Sequence, residues 1–485
     1  MIELIKAFFK TGLGAICSLA LGAITIKIIA LILDPQGVGI FSLLKQVQQF
    51  GIAIATLGGQ VALVQGLASL KAKDRDAYLV WSAGFFTIGS IVISIVFLLL
   101  SPQLSRWIFN STDPKMVGLI RVMPVLIISG SFYTYFTSVL NGNHAIGKLA
   151  WTQILLAMTT TITIYPTLHW VQKGHFSALV LPLGLAFTVG SVFSFFISRK
   201  NGWLEAFGKI NYQEYFFKVI KHFFSLGGVN LLAMMISAIT LISLRSVIIH
   251  HQGLSSAGIY EAAWMISMTY VTLLLSSFGT YYLPKLSGIV DSTEKQTLIA
   301  KLFRLTTLLL IPLVIMMICS KPLIIQILYS DKFSPSLKII RWMLIGDYIK
   351  VSSWVIAMPM VAYADVKNFI ILEILWNLGF LLIAAISMVY FNSLQGIGIA
   401  FLIQYSLNAC YIFYYSQKRG YFILKNENLK LWLIGLALVI LSSWKNWGET
   451  KINWVSLLFF FSLAILLIYF NLTKSEKTQI LNFIK

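Results

Sequence analysis

The sequence predicts an all-α polytopic membrane protein of about fourteen transmembrane helices, built as two six-helix repeats followed by two further helices. Three observations carry this. Hydrophobic residues make up 58% of the 485 positions and charged residues only 11%, less than half the charged share of an ordinary soluble domain. Apolar runs long enough to cross a bilayer, roughly 20 residues each, follow one another with short polar breaks over nearly the whole length. The basic residues gather in alternate loops, the signature of a fixed membrane orientation.

The expected spans of the first half are 9–33, 38–69, 77–100, 116–141, 149–171 and 176–198. The first follows Lys6 and Lys10 and contains Lys27. It is too long for the apolar core of a signal peptide and no small-residue cleavage site follows, so it reads as a retained span. A basic connector over 199–221, with Trp203, Phe207, Tyr212, Tyr215 and Phe216 interleaved, separates the halves. The second half has spans at 222–250, 257–286, 303–329, 337–363, 368–391 and 394–416, and two last spans lie at 430–447 and 452–472. The domain organisation is therefore a six-helix lobe over 1–198, the connector over 199–221, a second six-helix lobe over 222–416, and two additional helices with a tail over 417–485.

With the N-terminus inside, the inner loops and tails hold 23 lysines and arginines and the outer loops eight, Lys321 counted among the outer ones. Both termini are then expected in the cytoplasm. This asymmetry accounts for the formal charge of +20 better than nucleic-acid binding does. Cys17, Cys319 and Cys410 sit in apolar runs without CxxC spacing, so neither a disulfide framework nor a metal site is indicated. No glycine-rich phosphate loop with a following lysine is present. The longest hydrophilic stretch is the connector, too short for a catalytic domain, and no nucleophile–base pattern argues for an enzyme. No catalytic residue, metal ligand or cofactor is expected.

The halves resemble each other at an offset of about 220 residues. Gly39-Ile40-Phe41 answers to Gly258-Ile259-Tyr260, Pro102 to Pro322, Leu119-Ile120-Arg121 to Ile339-Ile340-Arg341, and Arg199-Lys200 to Lys418-Arg419. An even number of spans per half inserts both the same way up, as parallel repeats about an axis along the membrane normal, with a substrate site expected between them.

Six cations remain within the spans: Lys27, Lys45, Arg121, Arg245, Arg341 and Lys350. A charge at the centre of a spanning helix costs on the order of 3 kcal/mol even on the lenient insertion scale. Lys27 pairs with Arg245 by the repeat, and Arg121 with Arg341. Each of the three arginines lies near enough to an interface to snorkel instead. Ser42, Lys45, Gln46, Gln48 and Gln49 read as one broad polar face of the second span. Asp347 and Lys350 are three apart on one helix and can partly neutralise each other; Lys27 has Asp34 two turns on. Six cations against the intramembrane acids Glu261, Asp347 and Glu373 leave a positive cavity that favours an anionic ligand. The vicinal His250-His251 reads as interfacial rather than as a proton relay.

The stretches KIIALILDPQGVGIF from Lys27, SSFGTYYLPKLS from Ser276, SDKFSPSLKIIRWMLIGDYIKV from Ser330 and FIILE from Phe369 resemble the multidrug/oligosaccharidyl-lipid/polysaccharide exporter superfamily. Within it they are similar to the Wzx-type polysaccharide flippases, including the branch that handles enterobacterial common antigen. The likeness covers roughly residues 1–420, and the last two spans depart from the twelve-span family pattern. The resemblance implies a transporter of the bacterial inner membrane that moves an undecaprenyl-diphosphate-linked oligosaccharide (O-antigen, common antigen or a similar unit) outward by alternating access. It also implies membrane lipids, and a polymerase and chain-length regulator of the same pathway, as partners. On that reading Lys27, Lys45, Arg121, Arg245, Arg341 and Lys350 hold the diphosphate and glycan, with Gln46, Gln49 and Asn141 touching sugars. Glu261, Asp347 and Glu373 serve ion coupling or gating. A cation-coupled drug antiporter of the same superfamily would need acids to dominate the cavity. A membrane glycan polymerase or ligase would want a large outer loop, and the longest here are about fifteen residues.

Overall fold

In hydrocarbon every backbone N–H and C=O must be paired within the segment, which leaves the helix as the economical solution for an apolar chain. The computed structural model follows this rule: it describes residues 2–70, 72–208, 216–289, 291–362 and 365–472, and its regular elements there are all helical. The α-helices are α1 (Ile2–Ile32), α2 (Asp34–Ala55), α3 (Gly59–Ser69), α4 (Ala72–Leu99), α5 (Ser101–Phe109), α6 (Pro114–Arg121), α7 (Met123–Gly142) and α8 (Ile146–Gln172). They continue with α9 (Val180–Lys200), α10 (Phe216–Gly288), α11 (Ser292–Leu328), α12 (Leu337–Ala362), α13 (Val366–Phe391), α14 (Leu394–Lys418), α15 (Asn426–Lys445) and α16 (Trp454–Asn471).

Eleven stretches among the described residues are long and apolar enough to cross a membrane. Three expected spans fall outside that number for separate reasons. The described apolar part of the first, Ile16–Ile32, is short. The spans expected at 222–250 and 257–286 run together in α10, which kinks at Gly253 (φ 81°). The third, α12, carries Lys338, Arg341, Asp347 and Lys350. The protein is a multi-pass membrane protein.

The chain divides into two compact units, Met1–Gly258 and Ile259–Lys485. In the first, α2 is the inner helix and packs on α1, α4 and α7, while α8 lies against α1 and α9. The span expected over 38–69 is broken: Leu57 and Gly58 both take positive φ (53° and 61°), so α2 ends and α3 begins afresh. The span expected over 116–141 breaks at Val122, because Pro124 sits in the first turn of α7 and has no N–H for the preceding turn. At one end of this unit Tyr78, Phe86, Tyr135 and Phe223 form a core with Trp203 and Leu204 against it. Part of the connector expected over 199–221 is helical: a 3₁₀ turn spans Glu205–Gly208 and α10 is under way by Phe216. Tyr212 and Tyr215 lie outside the described residues.

In the second unit α12 is central, packed on α11 and α14, with α13 on the far side of α14 and with α15 and α16 laid on α11. Its core includes Tyr282, Phe303, Val355, Ile356 and Phe422. Leu382, Tyr390, Val455, Leu458 and Phe470 point outward, as a face meeting lipid rather than water requires.

Candidate functional site

Three charged residues of the second unit, Asp347, Lys350 and Glu373, gather around α12. Asp347 is fully buried, and its Oδ2 accepts hydrogen bonds from Ser267 Oγ at 2.7 Å and from Tyr270 Oη at 2.9 Å. Ser267 and Tyr270 are three residues apart on α10, which puts both hydroxyls on one helix face. Asp347 Oδ1 has no hydrogen-bond partner among the described residues. One turn further on, Lys350 does not bond to Asp347. Its Nζ donates to Met268 Sδ at 3.3 Å and stands 5.1 Å from the Tyr405 ring centroid and 5.7 Å from that of Phe401. The neutralisation expected between Asp347 and Lys350 is therefore long-range attraction, which Glu373 shares. The ammonium is solvated by ring faces and a thioether. Cation–π contacts reach about 2 kcal/mol when water is excluded.

Lys350 and Glu373 line a cavity of about 470 Å³ within this unit, together with Ser353, Trp354, Trp376 and Tyr405. Glu373 Oε2 receives Asn377 Nδ2 at 3.4 Å, and the same amide donates to the Glu373 carbonyl at 2.8 Å. Glu261, on α10, is buried near Tyr329. Thus the structure brings Asp347, Lys350 and Glu373 together around one helix.

A second cationic pair was legible only in half. Lys321, counted above with the outer loops, is 1% exposed within α11, and its Nζ donates to the Asn446 carbonyl at 2.8 Å. The expected span 303–329 already enclosed it, and that was the signal to heed. Near it Arg341, 2% exposed, has its guanidinium 3.1 Å from the Trp447 ring centroid and 4.5 Å from that of Trp342. Arg341 Nε has no hydrogen-bond partner among the described residues.

In the first unit the expected residues are dispersed over several helices. Lys27 is half-buried on α1. The polar face expected on α2 is split: Lys45 and Gln49, four apart, are exposed, whereas Ser42, Gln46 and Gln48 are buried. The Lys45 ammonium stands 5.9 Å from the Phe41 ring centroid. Gln46 and Gln48 each keep a buried Oε1 without a described partner. Arg121 is exposed at the break between α6 and α7, with Nε 3.4 Å from Ser101 Oγ. It differs in environment from its repeat counterpart Arg341, which Trp447 covers. Asn141 is half-buried near the end of α7. Arg245 is buried on α10 and donates to the Leu241 carbonyl at 3.2 Å. His250 Nδ1 lies 2.8 Å from Asn110 Nδ2, next to the ring of His251.

The profile of the polysaccharide biosynthesis protein family matches residues 28–338. The chain is similar to the lipid III flippases of Escherichia coli (strain K12) and Shigella flexneri, 20% identical over 434 residues, covering 87% of this chain and 99% of each relative. The lipid II flippase MurJ in its inward closed conformation superposes with a TM-score of 0.70 at 19% identity, covering 96% of this chain and 97% of that one. An inward-facing multidrug resistance MATE family transporter of the multidrug/oligosaccharidyl-lipid/polysaccharide exporter superfamily gives 0.64 at 16% identity, over 84% of this chain and 98% of that one. The protein belongs to the polysaccharide biosynthesis protein family, and its fold is that of the exporter superfamily its motifs resemble.

Proposed function

We propose that the protein is a flippase that carries a lipid-diphosphate-linked oligosaccharide, an O-antigen, common-antigen or similar unit on undecaprenyl diphosphate, to the outer leaflet of a bacterial inner membrane by alternating access. Family membership and the likeness to lipid III and lipid II flippases support the substrate class. The observation that carries the reading is Lys350, an ammonium held in a membrane helix with no ion pair within 4 Å among the described residues. A half-buried cation without a contact counter-ion favours whatever anion can reach it, because taking charges partly out of water strengthens their pairing.

In this reading Lys27, Lys45, Arg121, Arg245, Arg341 and Lys350 supply positive charge for the diphosphate, and Gln46, Gln49 and Asn141 supply amides for sugar hydroxyls. Asp347, Glu261 and Glu373 are the coupling or gating carboxylates: Asp347 accepts from Ser267 and Tyr270 in one state and meets Lys350 in another. With both termini in the cytoplasm, an inside-negative potential favours outward movement of the anionic headgroup by about 2.3 kcal/mol per charge per 100 mV.

The test is complementation of a flippase-deficient cell with Lys27→Ala, Lys45→Ala, Arg245→Ala and Lys350→Ala at matched membrane abundance. Loss of surface glycan with the protein still in the membrane supports the cationic route. Normal export by all four variants would show that these cations carry no substrate.

A further inference from the structure

We propose that the cavity lined by α12, α13 and α14 in the second unit is a subsite for one pyranose residue of the translocated glycan; this rests on the lipid-linked oligosaccharide reading. Its volume of about 470 Å³ falls within the range of small-molecule sites, about 300–1,000 Å³, and is suited to a single sugar ring rather than to a whole repeat unit. The lining is of two kinds. Trp354, Trp376 and Tyr405 provide flat apolar faces, while Glu373, Asn408 and Ser353 provide polar groups beside them.

Two groups beside the cavity are poorly met by the protein. Trp376 Nε1 is buried with no hydrogen-bond partner among the described residues. Glu373 Oε2 receives only the long contact from Asn377 at 3.4 Å. Inside a lobe surrounded by lipid, an unmet buried polar group costs about 1–3 kcal/mol, so a lining of this composition calls for an occupant. A pyranose suits it: its C–H face lies on a ring, its hydroxyls donate to the Glu373 carboxylate, and its oxygens accept from the Asn408 amide.

Other occupants fit less well. A lipid chain would leave the carboxylate and the amide unsatisfied. A cationic drug would want the aromatic face and the acid, but Lys350 already places its ammonium 5.1 Å from the Tyr405 centroid and would repel a second cation.

The experiment uses purified full-length protein in nanodiscs and measures calorimetric binding of citronellyl diphosphate, bare or carrying N-acetylglucosamine, glucose or galactose. In the wild type at least one glycosylated probe should bind about tenfold tighter than the bare one, the equivalent of 1.4 kcal/mol. Trp376→Ala and Asn408→Ala should each reduce or erase that difference while leaving the affinity for the bare diphosphate within about twofold. Trp376→Phe, which keeps a ring, should retain part of it. Variants that weaken bare and glycosylated probes equally, or that keep the full sugar increment, overturn the subsite. A wild type that binds bare diphosphate but gains nothing from any sugar overturns the subsite and leaves the lipid-diphosphate reading standing. A wild type that binds no probe removes both.

Discussion

Gly258 lies against Pro35 so closely that a methyl group on the glycine would stand 1.8 Å from the Pro35 carbonyl oxygen. Gly39 faces the same contact, since a Cβ there would come within 2.8 Å of the Leu254 carbonyl and 3.0 Å of the Gly258 amide nitrogen. The two glycines that the internal repeat sets as counterparts thus meet, backbone to backbone, where α2 crosses α10. Small residues at helix crossings are what membrane packing rewards. Gly258→Ala should destabilise the first unit by about 1–3 kcal/mol, read as a lowered unfolding temperature in detergent. Gly22→Ala, where nothing stands within 4 Å, should leave it unchanged.

Tyr270→Phe removes one of the two hydroxyls on Asp347 while Ser267 keeps the other. A hydrogen bond to a charged group is worth about 1.5–3 kcal/mol. If Asp347 exchanges between this pair and Lys350, Tyr270→Phe should alter transport rate without lowering affinity for a short-chain diphosphate, whereas Lys350→Met should lower that affinity at least tenfold. Equal effects of both on affinity would place Asp347 in binding instead.

Lys321→Met and Trp447→Ala should loosen the attachment of the C-terminal segment. The first leaves the Asn446 carbonyl without its donor and the second uncovers the Arg341 guanidinium. Each should cost about 1–3 kcal/mol. The pair sits close enough to couple, so a double-mutant cycle should give a non-additive sum. Limited proteolysis between α15 and α16 is the measurement, and unchanged cleavage in both variants would rule out the role.

Asp365, in the loop before α13, accepts from Tyr415 Oη at 2.5 Å and from Asn368 Nδ2 at 2.8 Å. The Tyr415 hydroxyl foremost, with Asn368, holds its carboxyl below the usual carboxylate range. A carboxyl depressed in the folded state contributes its stability above the ordinary value of about 4 and loses it as pH falls through the lower folded value. Asp365→Asn should therefore differ from wild type by a constant small amount between pH 5 and 8. The difference should begin to shrink below about pH 4 and vanish only once the pH is below the lowered folded value, as followed by thermal unfolding across that range.

The membrane architecture was legible because hydrocarbon enforces it: every apolar run long enough to span became helix. Gly39 and Gly258 match in sequence, but nothing one-dimensional said that they would touch. Environments were less so. Lys45 and Gln46 are neighbours in sequence, yet a 100° step round α2 leaves one exposed and the other buried. Arg121 and Arg341 match in the repeat, but only Arg341 has a tryptophan from the 446–453 loop to lie on. Lys350 looked like a partner for Asp347 at three-residue spacing. The rings of Phe401 and Tyr405, far along the chain, decided otherwise.

The charge load of α12 has a consequence for how the chain is made. A segment with Lys338, Arg341, Asp347 and Lys350 does not partition readily into lipid by itself. Its charged groups are met by Ser267, Met268 and Tyr270 of α10, synthesised before it, and by the rings of Phe401 and Tyr405 on α14 and of Trp447 beyond α15, synthesised after it. At synthesis α12 thus finds partners for Asp347 and Lys350 already made on α10, while the rings that cover Lys350 and Arg341 arrive only with α14 and the segment beyond α15.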